Sequence, residues 1–323
     1  DYYSWNPFER YHKVIVTARE LAGNIVLSGN CGNEGDNATF TLTDEGLLTI
    51  TGTGAMADYS NDYYSNNYAP WYKTDITLVT SVVIGEGITH IGNYAFYDHT
   101  LLREASLPSS VESIGSYAFS NNNILTVLNL PASLKTIGEY AFSYSRYLEE
   151  VLIPEGTETI GSNAFAGCSQ IRQLTLPETI TTIGDYAFYL SAIQAIEIPA
   201  STTAIGNYAF ANTTIAEVTI PAKVATVGEG AFSACKALTA VTFLDGADVD
   251  LVLGSMFATE TAVGVFDGCS ALKTVTLSKN VQTIGTNTFK GLSALETVTI
   301  PNGSKLEIIG DYAFSGTSIT GNS

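Results

Sequence analysis

Three histidines (His12, His90, His99), four cysteines and 32 acidic residues are the side chains from which this chain could build chemistry. Three scattered histidines leave little for acid–base catalysis, which needs a base within hydrogen-bond reach of its target. Cys31, Cys168, Cys235 and Cys269 form no C-x-x-C pair, so no zinc site is assigned. The last three share one context, AFAGCSQI, AFSACKAL and VFDGCSAL, each three residues after a phenylalanine. A cysteine recurring at one slot of a motif reads as a small buried side chain. A Cys235–Cys269 disulfide, from the same slot in successive copies, is the alternative. Asp245, Asp248 and Asp250 in LDGADVDLVL faintly resemble a calcium loop, but the acidic residue that would close it is missing, and they read as a solvated turn. No G-x-S-x-G, H-E-x-x-H, P-loop or post-strand G-x-G-x-x-G string occurs. No catalytic residue, metal or cofactor is therefore assigned, and the chain reads as non-enzymatic.

Composition excludes further classes. Basic residues number 14 and acidic residues 32, so 14 − 32 gives a net charge of −18. That balance argues against nucleic acid or an anionic membrane as partner. Hydrophobic residues make up 45% of the 323 and supply a core, so the chain is not disordered. No apolar run approaches the ~18 residues of a membrane span.

The elements that position these side chains are set by a repeat. IG-x-x-AF recurs as IGNYAF (91–96), IGSYAF (114–119), IGEYAF (137–142), IGSNAF (160–165), IGDYAF (183–188), IGNYAF (205–210), VGEGAF (227–232), IGTNTF (284–289) and IGDYAF (309–314). A degenerate copy ends at Phe266. The ten phenylalanines are spaced 23, 23, 23, 23, 22, 22, 34, 23 and 25. The outlier marks an insertion of about 11 residues near 244–261, against the usual repeat length. Its Met256 and Phe257 read as a protruding apolar tip or a local plug. Between phenylalanines runs L-x-x-V-x-L-P, whose alternation predicts a strand with one buried face. Seven of the nine prolines close that strand, where a missing N–H does no harm. The Gly after Ile is expected where a side chain would collide or φ is positive. Phe is expected to fill the coil interior. One copy cannot bury these groups and stacked neighbours can, so the chain is predicted to be a β-rich solenoid of about ten 22–25-residue coils, with short strands and helical turns. Residues 37–54 alternate about a Thr43-Asp44-Glu45-Gly46 turn and predict a hairpin lid on the first coil. The division expected is 1–24 of unclear structure, a β-rich cap over 25–80, and repeats over 81–323.

The string IG-x-x-AF-x-x-C/N-x-x-L-x-x-V-x-L-P resembles the BspA-type leucine-rich repeat family over residues 81 to about 319. The segment before it, with SGNCGNEGDNATFTLTDEGLLTITGTGAMADYS and APWY, resembles the cap that introduces such arrays. The resemblance implies a secreted or cell-surface bacterial protein and, from members with known roles, adhesion to host proteins. The chain opens Asp1-Tyr2-Tyr3 and closes soon after a repeat motif, so both ends read as cuts in a longer protein.

Three surfaces are candidates for recognition. The outward strand rungs are acidic and varied early and threonine late. The expected protein-binding residues are Glu104, Val127, Asn129, Glu150, Leu152, Gln173, Glu197 and Glu217. The cap segment 58–72, DYSNDYYSNNYAPWY, offers Tyr63, Tyr64, Tyr68 and Trp71 for a glycan, with packing of the cap as the plainer reading for Trp71. A tyrosine ladder before AF (Tyr94, Tyr117, Tyr140, Tyr186, Tyr208, Tyr312) is expected as half-buried rungs, with ligand stacking as the alternative. The leading partner is a host or neighbouring-cell surface or matrix protein. A glycan, or a spacer role displaying another domain, is the runner-up.

Overall fold

The computed structural model describes residues 23–62, 67–72, 78–246, 249–256 and 262–319. Strands β1 (Ile25–Gly32), β2 (Gly35–Thr43) and β3 (Leu47–Gly52) form an antiparallel meander. From β3 onward every pairing is parallel, first with Ser81–Ile84, then Glu104–Ser106 and Val127–Asn129. The hairpin thus continues the sheet of the coils and covers the open edge that a first coil would otherwise present. Ala38, Phe40, Leu42, Leu48 and Ile50 are its buried face.

Each coil is a pair of short strands joined by turns. The L-x-x-V-x-L-P strands assemble in three segments: the six-stranded sheet just described, a pair of Glu150–Leu152 with Gln173–Thr175, and four strands from Glu217–Ile220 to Thr297–Thr299. The residues before the Ile-Gly pair make a second sheet that is unbroken over eleven strands, from Gly54–Ala55 to Ile308–Ile309. Most of its strands are only two residues long, Thr136–Ile137 for example, with the polar residue exposed and the isoleucine buried. The helical turns are correspondingly short: Ala95 N–H bonds Gly92 O and Tyr97 N–H bonds Tyr94 O, after which the turn ends. Alternate N–H groups instead reach forward to the next coil, as Tyr94 to Ser116 O, Phe96 to Ala118 O and Asp98 to Ser120 O. The turns are therefore cross-linked between coils much as strands are, which satisfies backbone groups that no helix covers.

The core is one column of rings. Phe96, Phe119, Phe142, Phe165, Phe188, Phe210, Phe232, Phe266, Phe289 and Phe314 stack in order with centroids 4.9–5.8 Å apart. In the nine regular copies the repeat glycine is not at positive φ. It is demanded by close approach: a Cβ on Gly138 would lie 2.7 Å from the backbone of Gly115 and Ser116. In the degenerate coil, Leu253 pairs with Val227 and Ile284, so Leu253-Gly254 stands in the Ile-Gly register. Leu253 precedes Phe266 by 13 residues where Ile91 precedes Phe96 by 5, so most of the extra length follows Gly254. Met256 there is 46% exposed, and Phe257 lies outside the described residues.

Candidate functional site

Two left-handed residues shape the turn of each coil, except that the coil of Phe266 has only the second, which stands two residues after the phenylalanine. The first is the residue before Ala-Phe, at φ 55–59°: Tyr94, Tyr117, Tyr140, Asn163, Tyr186, Tyr208, Asn287 and Tyr312, with Gly230 in the same slot at 58°. Asn and Gly are the usual occupants of this region, and a bulky side chain costs about 1–2 kcal/mol there. Six tyrosines accept that cost, and stacking offsets it. Tyr94, Tyr117 and Tyr140 lie face to face at 4.7 and 4.5 Å, and Tyr186 and Tyr208 at 4.8 Å. Such pairs contribute about 0.5–1.5 kcal/mol each. Burial, then neighbouring phenols and Glu139, pushes Tyr117 up to about 12, so that phenol stays neutral at ordinary pH. The rungs are half-buried except Tyr312, which is 68% exposed.

The cysteine slot is a second ladder, buried and polar. Asn122 Nδ2, Ser145 Oγ, Cys168 Sγ, Cys235 Sγ and Cys269 Sγ each donate to the phenylalanine carbonyl of the preceding coil, at 3.0–3.1 Å. The thiols are thus weak donors as well as fillers. All four cysteines are free and buried. Burial pushes Cys31 and Cys168 up to about 12, and the Cys235 thiol beside it, with burial, pushes Cys269 up as well. Neutral buried thiols are poor nucleophiles and poor metal ligands. Among the described residues, no three His, Cys, Asp or Glu side chains converge as metal ligands would. Asp245 accepts the Lys279 N–H and Asp250 pairs with Lys305, while Asp248 lies outside the described residues.

The residues that alternation points outward are exposed, seven of them on strands and Glu197 on a stretch, 191–199, that forms no strand. Glu104, Val127, Asn129, Glu150, Leu152, Gln173, Glu197 and Glu217 are all exposed, Val127 and Leu152 at 43% each. Register aligns Glu104 with Val127, Ser106 with Asn129, and Glu150 with Gln173. Val127–Asn129 and Glu150–Leu152 fall in different sheet segments.

The cap aromatics divide. Trp71, in the short turn Pro70–Tyr72, has no exposed surface. Its Nε1–H donates to Ala95 O at 2.8 Å, and its ring stacks on Phe96 and meets Phe40 and Tyr59 edge-on. It is the first plate of the phenylalanine column, so a glycan has no access to it; packing is its role. Tyr68 is half-buried and stacks on Tyr72 at 5.2 Å. With Ser60, Asn61, Tyr94 and Tyr97 these two line a small crease where the cap meets the ladder. Tyr63 and Tyr64 lie outside the described residues. Tyr72 and Tyr97 were not singled out by the sequence; only the density of tyrosine around them is visible there.

A family model for the BspA type leucine rich repeat region matches residues 72–191, 135–258 and 259–322. The chain belongs to that family, a class of parallel solenoids built from stacked short strands. Among solved structures it is similar to a leucine-rich repeat protein from Bacteroides ovatus, at 25% identity and TM-score 0.56, over 87% of this chain and 79% of that one. It is also similar to a leucine-rich repeat protein from Eubacterium ventriosum (25%, TM-score 0.47, 92% and 97%) and a leucine rich cell surface protein from Faecalibacterium prausnitzii (23%, TM-score 0.47, 88% and 97%). No curated protein sequence matches the chain. Among the described residues no helix is long and apolar enough to cross a membrane.

Proposed function

We propose that the chain is a non-catalytic extracellular recognition module that binds a surface or matrix protein through its outward strand face. The observation that carries this is the face itself. Glu104, Glu150 and Glu217 stand exposed on strands and Glu197 on a stretch that forms none, among exposed Val127 and Leu152 and in varied rather than repeated order. Apolar contacts ringed by like charges suit a basic partner and give a salt-sensitive association. Family membership supports the extracellular setting. The test is a binding screen against matrix proteins, followed by Glu104→Lys, Glu150→Lys and Glu197→Lys together. Affinity for the captured protein is expected to fall at least tenfold and to weaken with salt. Unchanged affinity in the folded triple variant would sink the strand-face reading.

A glycan reading keeps one support, the crease of Tyr68, Tyr72, Tyr94 and Tyr97. Binding of that kind should survive the three charge reversals and fail on Tyr68→Ala. Trp71→Ala does not discriminate, because it removes a core ring.

A further inference from the structure

The tyrosine ladder has one missing rung between two complete stacks. Tyr94, Tyr117 and Tyr140 end at Asn163, and Tyr186 and Tyr208 begin after it. Neighbouring rungs are 4.5–4.8 Å apart. Tyr140 and Tyr186 are two coil steps apart, so about 9–10 Å separates their rings. Asn163 is too short to fill that space to the depth of a tyrosine ring. It leaves a notch with aromatic walls and an amide floor, and one flat group inserted there would continue the ladder at its own pitch.

The rim of the notch is acidic. Glu139 and Asp185 occupy the position before Tyr140 and Tyr186, with Ser162 between them. Glu139 is exposed, and its carboxylate has no partner among the described residues. Asp185 is turned instead to the following coil, where one oxygen accepts the Asn207 N–H at 2.7 Å, so Glu139 is the rim carboxylate open to a ligand.

Elsewhere the same molecule sets a cation on a ring of the ladder. At the other asparagine rung, Asn287, the residue three further on is Lys290, whose ammonium stands over the Tyr312 ring 5.5 Å from its centroid. Three residues beyond Asn163 stands Ala166, which is buried and carries no charge. The Asn163 notch therefore has the aromatic faces and a carboxylate but no cation of its own.

The geometry points to the notch of Tyr140, Asn163 and Tyr186 as a binding site for an arginine side chain of a protein partner, its guanidinium sandwiched between the two rings and paired with Glu139. A guanidinium is flat, cationic and weakly hydrated, and it stacks on aromatic faces, where an ammonium ion offers no plane. A carboxylate at the rim matches its fork of donors. The inference rests on the reading of the chain as a protein-recognition module, and it uses a different side of the coil.

The test uses small blocked amino acids and the whole chain with labelled tyrosine, followed by ring-proton NMR. N-acetyl-arginine amide is expected to shift the Tyr140 and Tyr186 signals saturably in the millimolar range. The lysine analogue should bind at least threefold more weakly. Asn163→Tyr supplies the missing rung from the chain itself, in a slot where six copies already hold tyrosine, and should weaken arginine binding at least tenfold. Should that variant not fold, the decision passes to the Glu139→Gln variant, expected to lose at least threefold. Absence of a saturable shift, equal binding by Asn163→Tyr, or binding of N-acetyl-tryptophan amide or a chitotriose in place of arginine would each overturn the proposal. The Glu104, Glu150 and Glu197 reversals should leave arginine binding intact, so failure of the notch and failure of the strand face are read separately.

Discussion

At the residue scale, His99 is the buried group whose ionisation matters most. It occupies the slot that Asn122 and Ser145 fill in the next coils, yet no earlier phenylalanine carbonyl exists for it to cap. Its Nδ1–H donates to Tyr97 O at 3.0 Å, and Nε2 has no partner beside the Phe96 and Tyr72 rings. Burial lowers its pKa from 6.5 to about 4, against smaller opposing effects of the Tyr97 and Phe96 carbonyls. The folded chain therefore refuses a proton that the unfolded chain accepts. Its stability is full above pH 6.5 and is lost as pH falls from there towards 4. Between pH 7.5 and 5 this amounts to about 2 kcal/mol at 1.36 kcal/mol per unit. In urea titrations at those two pH values, His99→Asn is expected to be flatter than wild type by that amount. Equal slopes would mean that His99 is solvated or protonated in the fold.

At the element scale, the coil was legible in sequence wherever period and residue type agreed. The 22–25-residue spacing, broken once at 34, places ten phenylalanines in one column, and strand alternation puts Glu104, Glu150 and Glu217 outside. The eleven-stranded sheet was not legible, because strands such as Thr136–Ile137 are too short for alternation to register. Nor was the left-handed turn, because tyrosine is an unusual residue there; Asn163, Gly230 and Asn287 in the same slot were the signal. The glycine was legible only as a collision or a positive φ; close approach is what requires it, and the neighbour it approaches belongs to another coil. Two substitutions separate these contributions. Phe165→Ala opens the middle of the ring column and should cost about 3–5 kcal/mol in chemical denaturation. Gly138→Ala adds one methyl against the backbone of Gly115 and Ser116 and should cost about 1–3 kcal/mol as overpacking. A glycine substitution without cost would mean that the coils can part locally, and the inter-coil hydrogen bonds of the turns would then not be the rigid frame that holds the tyrosine notch.

At the scale of the whole molecule, a net charge of −18 lies on a chain that is only 14% charged. Two ion pairs between side chains of fixed charge stand out among the described residues, Lys135–Glu112 and Lys305–Asp250, both well exposed. Exposed pairs contribute about 0–1 kcal/mol each. Most carboxylates thus repel one another along a rod whose coils follow at strand spacing, and that repulsion opposes folding. The range of the repulsion shrinks from about 30 Å at 0.01 M salt to about 8 Å at 0.15 M. Adding salt across that range screens many repulsions and few attractions, so Tm is expected to rise. A fall in Tm would mean that local pairing outweighs the net charge. The sign matters for recognition, because salt should weaken an acidic face's hold on a basic partner while it strengthens the fold. A binding loss at 0.15 M accompanied by a higher Tm therefore reports screening of the interface itself, and separates it from partial unfolding.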